Sequence, residues 1–151
     1  MRWIWVLFLV ACGIPQKPQH TQVNQLGVEE TAMWFMKAAL VGDEATAMSL
    51  SLNQMWAPSV TKKYDEKWED SIKEVITKIA QEGDDTGVEV VSAQVTEYMV
   101  LKQSENEKLM RDVELAVVQI NVREPSGKKH AAATPFIFIK TEGGWKFSPK
   151  S

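Results

Sequence analysis

Very few side chains in this sequence have the types and spacing that chemistry requires. The 151 residues include one cysteine, Cys12, and two histidines, His20 and His130. Two isolated histidines and one cysteine do not make the ligand set that a zinc site needs. The pair Asp84 and Asp85 lacks the alternating oxygen spacing of a calcium-binding loop. The sequence therefore predicts no metal site and no cofactor.

Two residues remain as candidates for acid–base chemistry, His130 and Asp112. His130 follows Lys128 and Lys129 at the start of a predicted strand, where we expect an exposed side chain. Asp112 faces opposite to Val113 on another predicted strand, so it points either into a pocket or into water. A pocket base needs a pKa raised by burial, which the spacing does not demonstrate. Because GxSxG, P-loop and GxGxxG motifs are also absent, we expect no catalytic residue and a protein that is not an enzyme.

The N-terminus carries an apolar run that begins after Arg2 and ends at Pro15. A helix that crosses a bilayer needs about 20 apolar residues, whereas the apolar region of a secretory signal has about 7–15. Residues 3–14 fit the shorter class, so the run favours an export signal. The alternative is a buried N-terminal strand or helix in which Cys12 is a small core residue.

The end of this run, Leu9-Val10-Ala11-Cys12, resembles the lipobox of bacterial lipoprotein signals. The resemblance implies that residues 1–11 are a signal peptide, cleaved between Ala11 and Cys12. It also implies that the Cys12 sulfur carries a diacylglycerol and that the new amine is acylated, for example with palmitate. Two or three chains hold a protein at a membrane more firmly than one. Gly13, rather than an aspartate, follows Cys12, which implies a lipid anchor in the outer membrane of the cell envelope, facing the periplasm or the surface.

The rest of the chain divides into a tether and one domain. Residues 12–27 are rich in amides, contain Pro15 and Pro18 and show no apolar period, which predicts a polar linker. Residues 28–151 have the length of a single small domain. The net charge of −3 and the absence of a dense basic patch argue against nucleic-acid binding.

Within the domain, the apolar period changes from that of helices to that of strands. Helices are predicted at about 28–41, 43–52 and 65–81, the last stopped by Gly83. Strands are predicted at 88–101, 109–123, 131–140 and 145–148. Short loops join these strands, so we expect them to pair antiparallel. The predicted fold class is α+β, with N-terminal helices packed on a curved four-stranded antiparallel meander.

This order of elements resembles the NTF2-like (cystatin-like) fold, in which a curved sheet forms a cone around a long helix. The likeness depends on the helix 31–41 followed by Gly42-Asp43, and on the terminal hairpin 143–147, Gly-Gly-Trp-Lys-Phe. It covers about residues 28–149. Enzymes of this class, such as steroid isomerases and dehydratases, use aspartate, histidine or tyrosine inside the cone.

Methionine and tryptophan are frequent in the helical part, where they either fill the core or line a surface that adapts to apolar partners. The candidate pocket residues are Trp34, Met36, Trp56, Trp68, Asp112 and Phe138. We expect a membrane-anchored, non-catalytic binding or scaffold module, whose partners are the membrane through lipidated Cys12 and a small apolar ligand or an envelope protein. The alternatives are an NTF2-like enzyme that uses Asp112 and an accessory subunit of an envelope assembly.

Overall fold

Helices come first and strands follow in the structure, a computed structural model that describes residues 20–132 and 134–149. The helices are α1 (His20–Leu40), α2 (Glu44–Ser49) and α3 (Glu66–Thr86). The strands are β1 (Glu89–Leu101), β2 (Val113–Arg123), β3 (Lys129–Ala131), β4 (Phe136–Thr141) and β5 (Gly144–Ser148). Single 3-10 turns occur at Ala57–Ser59 and Gln103–Glu105. This order confirms the predicted α+β class.

The strands form one antiparallel sheet in the order β1-β2-β4-β5, with β3 paired to β2. Two register shifts in β1, after Val90 and after Val95, bend the sheet as β-bulges do. The prediction of four strands was wrong in one detail, because the predicted strand 131–140 is divided between β3 and β4. Pro135 precedes β4 and has no N–H to donate to a ladder, which accounts for the interruption.

Both long helices extend beyond their predicted ends. Helix α1 begins at His20, so the helix includes part of the stretch predicted as a polar tether. The apolar stripe begins only at Val28, which is fully buried, because packing on the sheet begins there. Two of the residues before it, Gln22 and Gln25, are glutamines, which have good helix propensity. The signal peptide, the lipobox and the start of the tether, all before residue 20, lie outside the described residues.

Helix α3 does not stop at Gly83 as predicted. It continues to Thr86 and ends at Gly87, whose left-handed φ of 69° and N–H bond to the Gly83 carbonyl form the C-terminal cap. Gly83 instead lies where α3 crosses the end of α1. A Cβ there would be 2.5 Å from the carbonyl oxygen of Leu40, so the crossing requires glycine.

The core has two parts because successive strand residues point to opposite faces. On one face, here called the helix face, Phe138 of β4 packs against Phe35 of α1. On the other, here called the outer face, Ile139 of β4 and Val113 of β2 pack against the segment that joins α2 to α3. The backbone of Leu52 in that segment donates to the carbonyl of Phe147 over 2.7 Å and thereby covers the edge of β5.

Candidate functional site

An apolar cavity of about 310 Å³ lies between the helix face of the sheet and helices α1 and α3. We call it the cone-end cavity. Its main walls are Met36 of α1, Val75 and Ile79 of α3, Phe136 of β4 and Phe147 of β5. Its volume lies at the lower end of the range of about 300–1,000 Å³ for small-molecule pockets.

The positions of these wall residues follow from local geometry. Val75 and Ile79 are four residues apart, so they share one face of α3. Phe136 and Phe147 come from adjacent antiparallel strands and both point to the helix face, with ring centroids 5.8 Å apart. Beside the cavity, Phe35 stacks on Phe147 at a centroid distance of 4.5 Å. Phe147 thus belongs both to the cavity wall and to the packed aromatic core.

The charged groups at the cone-end cavity lie at its rim, whereas Ser148 is a buried polar residue of its lining. Lys78 and Glu82 are exposed residues of α3, and Lys78 pairs with Glu74 one turn earlier at 3.8 Å. None of the described wall residues is a buried acid or base. A cavity with these walls favours binding through apolar contact rather than proton transfer.

A polar cluster that the sequence did not reveal lies elsewhere on the helix face. The hydroxyl of Tyr98 on β1 donates a hydrogen bond to the carboxylate of Glu114 on β2. This bond, followed by burial, raises the pKa of Tyr98 to about 12, so the phenol stays protonated. Lys140 lies 3.9 Å from Glu114, and none of the three residues lines the cone-end cavity. The pairing register of β1 and β2 is the feature that could have identified this cluster, because it places Tyr98 opposite Ala116 and next to Glu114.

Three of the six predicted pocket residues belong to the helix side of the domain, in different environments. Met36 lines the cone-end cavity and is buried. Phe138 is fully buried at the centre of the aromatic core, so it fills the cone rather than lining its open part. Trp34 is 59% exposed on the far side of α1 and contributes to a groove beside β1.

Asp112 does not occupy a pocket. Its carboxylate is 56% exposed, accepts a hydrogen bond from the backbone N–H of Gln103 over 2.8 Å and lies 3.7 Å from the ammonium of Lys102. The aspartate precedes β2 and helps to order the loop between β1 and β2. This position contradicts the idea of Asp112 as a pocket acid, and its residue spacing alone could not distinguish the two facings.

The other two predicted residues, Trp56 and Trp68, pack on the outer face. The indole N–H of Trp68 donates to the carbonyl of Leu52 over 2.7 Å. The ring of Trp56 covers Gly143, where a Cβ would come within 2.3 Å of it. The ammonium of Lys146 lies 5.8 Å from the centroid of Trp56 and donates to the carbonyl of Ser49. Burial lowers the pKa of Lys146.

A second cavity, of about 390 Å³, lies on the outer face and is here called the outer cavity. Its apolar walls include Val60, Trp68, Leu115 and Ile137. The structure thus separates the predicted pocket residues, placing Met36 at one cavity and Trp68 at another on the opposite face of the sheet.

The remaining sequence predictions on chemistry can be compared with the described part of the chain. The imidazole of His130 is 43% exposed, as expected, and its Nε2 lies 3.0 Å from Glu124. No group of three potential metal-ligating His, Cys, Asp or Glu side chains occurs among residues 20–132 and 134–149. Across the same residues, none of the helices has the length and apolar character to cross a bilayer.

No protein-family model matches the chain, and no curated protein is significantly similar to it.

Proposed function

We propose that this protein is an envelope lipoprotein, anchored through lipidated Cys12, whose domain binds a small apolar ligand without catalysis. The proposal combines the lipobox-like run Leu9-Val10-Ala11-Cys12 with the chemistry of the cone-end cavity. A lipid anchor places the domain next to a membrane, where small apolar molecules are concentrated. In this account the cavity binds such a molecule out of the membrane or from the aqueous phase beside it.

The cone-end cavity is the single observation that carries this function. Met36 and Phe136 give it apolar walls, and its rim is charged and open, so a ligand can enter without crossing the core. Methionine side chains adapt to different apolar shapes. None of the described lining residues is a buried acid or base, since Lys78 and Glu82 are exposed, which favours binding over an isomerase or dehydratase role.

One observation favours a second candidate, an accessory subunit that contacts another envelope protein. Trp34 is exposed and, together with Met33 and Val91, lines a groove between α1 and the outer edge of β1. Exposed tryptophan is enriched where proteins bind each other. Glu29 already accepts one hydrogen bond from this edge, at the N–H of Val95.

Site-resolved photolabelling tests the ligand-binding proposal. The full chain, reconstituted in lipid vesicles, is irradiated with a straight-chain alcohol that carries a diazirine, and the labelled peptides are identified by mass spectrometry. We expect labelling on α3 and β4 next to Val75, Ile79 and Phe136. The variant Val75→Trp, which fills the cavity, should lose this labelling.

The matched control is Thr77→Trp, which adds the same side chain to an exposed position of α3 that does not line the cavity. Labelling that persists in Val75→Trp, or that is lost equally in Thr77→Trp, would contradict binding in the cone-end cavity. Co-purification of a membrane partner that depends on Trp34 would instead support the accessory-subunit function.

A further inference from the structure

We propose that the outer cavity is a second site, which binds a single acyl chain with an anionic head group. Its apolar walls would hold the chain, and two lysines at its mouth would hold the head group. The two cavities share Ile137 and Ser148, but Lys63 and Lys108 line the outer cavity and not the cone-end cavity, so variants of these lysines distinguish the two sites.

The walls of the outer cavity come from three parts of the chain. Leu115 of β2 and Ile137 of β4 provide the floor from the sheet, and both remain partly exposed. Val60 lies in the segment before α3, and Trp68 lies in the first turns of that helix. Trp68 is fixed by its hydrogen bond to Leu52, so its ring forms a rigid side wall. Partly exposed apolar residues at the bottom of a cavity gain from being covered by an acyl chain.

The lysine pair forms where two distant segments meet. Thr61 and Leu109 form an antiparallel bridge, and the N–H of Lys62 donates to the carbonyl of Lys108 over 2.8 Å. On one side of this bridge Thr61 and Lys63 line the outer cavity, whereas Lys62 does not, and Lys108 lines it from the other side. Lys63 and Lys108 therefore lie at the same mouth.

The two lysines line the same cavity, and Lys108 is close enough to affect the protonation of Lys63. Lys108 lowers the pKa of Lys63, because a side-chain hydrogen bond to the neutral amine and then the repulsion between the two charges both disfavour the protonated form. Neither lysine has an acidic side chain in ion-pair contact among residues 20–132 and 134–149. An anion between the two ammonium groups would relieve this repulsion, and such charge complementarity is what selects ligands at interfaces.

The combination of walls and mouth selects the ligand class. A neutral apolar molecule would leave the lysine charges uncompensated, and an inorganic anion would leave the apolar floor in water. The volume of about 390 Å³ suits one chain rather than the several chains of a whole membrane lipid. An acyl carboxylate of medium length, such as dodecanoate, satisfies both parts of the site.

Photolabelling with a matched acid and alcohol tests this site in the full chain. The probes are diazirine-containing dodecanoic acid and dodecanol, applied to the protein in lipid vesicles at a pH where the acid is ionised. We expect the acid to label peptides near Val60, Trp68 and Leu115. The double variant Lys63→Gln/Lys108→Gln should reduce this labelling about tenfold, because it removes two charge-assisted contacts, while it leaves labelling by the alcohol unchanged.

The matched control is Lys62→Gln/Lys67→Gln, which removes the same charge from two exposed lysines outside the cavity and should label like the wild type. A second variant, Leu115→Trp, fills the floor and should abolish acid labelling without a change in the lysines. Far-ultraviolet circular dichroism verifies that each variant is folded. Equal acid labelling in both lysine double variants, or acid labelling confined to the cone-end cavity, would overturn the proposal, while loss of alcohol labelling at α3 concerns only the proposed function.

Discussion

Substituting Gly83 by alanine sets two well-characterised effects against each other at the crossing of α1 and α3. Glycine inside a helix costs about 1 kcal/mol relative to alanine, so propensity alone predicts that Gly83→Ala stabilises the domain. Packing predicts the opposite. The new Cβ would lie 2.5 Å from the carbonyl oxygen of Leu40 and 3.2 Å from its Cδ2, whereas real Cβ contacts stay beyond 3.0 Å.

The size of the packing effect follows from what must move. The close atom is a backbone oxygen, which cannot rotate away as a flexible side chain can, so the two helices must separate. Overpacking of this kind costs about 1–3 kcal/mol. After the gain in propensity is subtracted, we expect Gly83→Ala to lower the free energy of unfolding by about 1 kcal/mol. The same separation would widen the cone-end cavity, since Met36 and Ile79 belong to these two helices.

The assay is urea unfolding of the full chain in mild detergent, followed by circular dichroism, with Thr77→Ala as the control. Thr77 is exposed on the same helix, so this control gains propensity, about 0.5 kcal/mol, without a new contact. The two variants should therefore change stability in opposite directions. If Gly83→Ala is stabilised as much as Thr77→Ala, the close crossing of α1 and α3 is wrong.

Three further predictions concern buried aromatic and polar groups. Phe138→Ala should lower the free energy of unfolding by about 3–5 kcal/mol in the same urea assay, because Phe138 is fully buried beside Phe35. A loss below about 1 kcal/mol would contradict the central position of Phe138 in the core. Tyr98→Phe should cost about 1–2 kcal/mol at neutral pH, since it removes a hydrogen bond to a carboxylate. Because the pKa of Tyr98 is raised, this contribution is present below pH 10 and is lost as the pH rises towards about 12. The free energies of unfolding of the wild type and Tyr98→Phe should therefore converge near pH 12. A difference that stays constant with pH would count against the contact with Glu114. The lowered pKa of Lys146 has the opposite consequence, because the unfolded chain binds the proton more tightly than the folded protein. The stability of the wild type should therefore rise relative to Lys146→Met as the pH increases from the lowered folded-state pKa towards 10.5. A difference between the two urea titrations that does not change with pH would show that Lys146 is not buried.

The parts of the fold that sequence predicted well are those where burial repeats with a regular period. Ile72, Ile76 and Ile79 share one face of α3 and are buried, as their spacing indicated. The valine-rich stretch 109–123 likewise predicted a strand, which the structure places at Val113–Arg123. In both cases the spacing of apolar residues within one element is sufficient to predict that element.

The errors arose where a distant contact overrides a local signal. Glycine is a common helix stop, but Gly83 lies inside α3, where the close approach of the Leu40 carbonyl leaves no room for a Cβ. Asp112 has the alternation of a strand residue, yet it binds the backbone of Gln103 in a surface loop. A local pattern contains no information on either partner.

The candidate sites were harder to predict than the fold for the same reason. The cone-end cavity needs Met36, Val75 and Phe136, which are far apart in sequence and meet only through the packing of α1 and α3 on β4. The lysine pair of the outer cavity needs the bridge between Thr61 and Leu109. Composition indicated an adaptable apolar surface, but only the register of these segments gives its location.

Lipidation of Cys12 is tested most directly by the intact mass of the protein extracted from the membranes of a bacterium that expresses the full chain, beside the variant Cys12→Ser. We expect residues 1–11 to be absent, the mass to include a diacylglycerol, and both changes to be lost in the variant. An unmodified chain that retains Met1 and occurs in the soluble fraction would contradict lipidation, because the apolar N-terminal run would then belong to the folded domain.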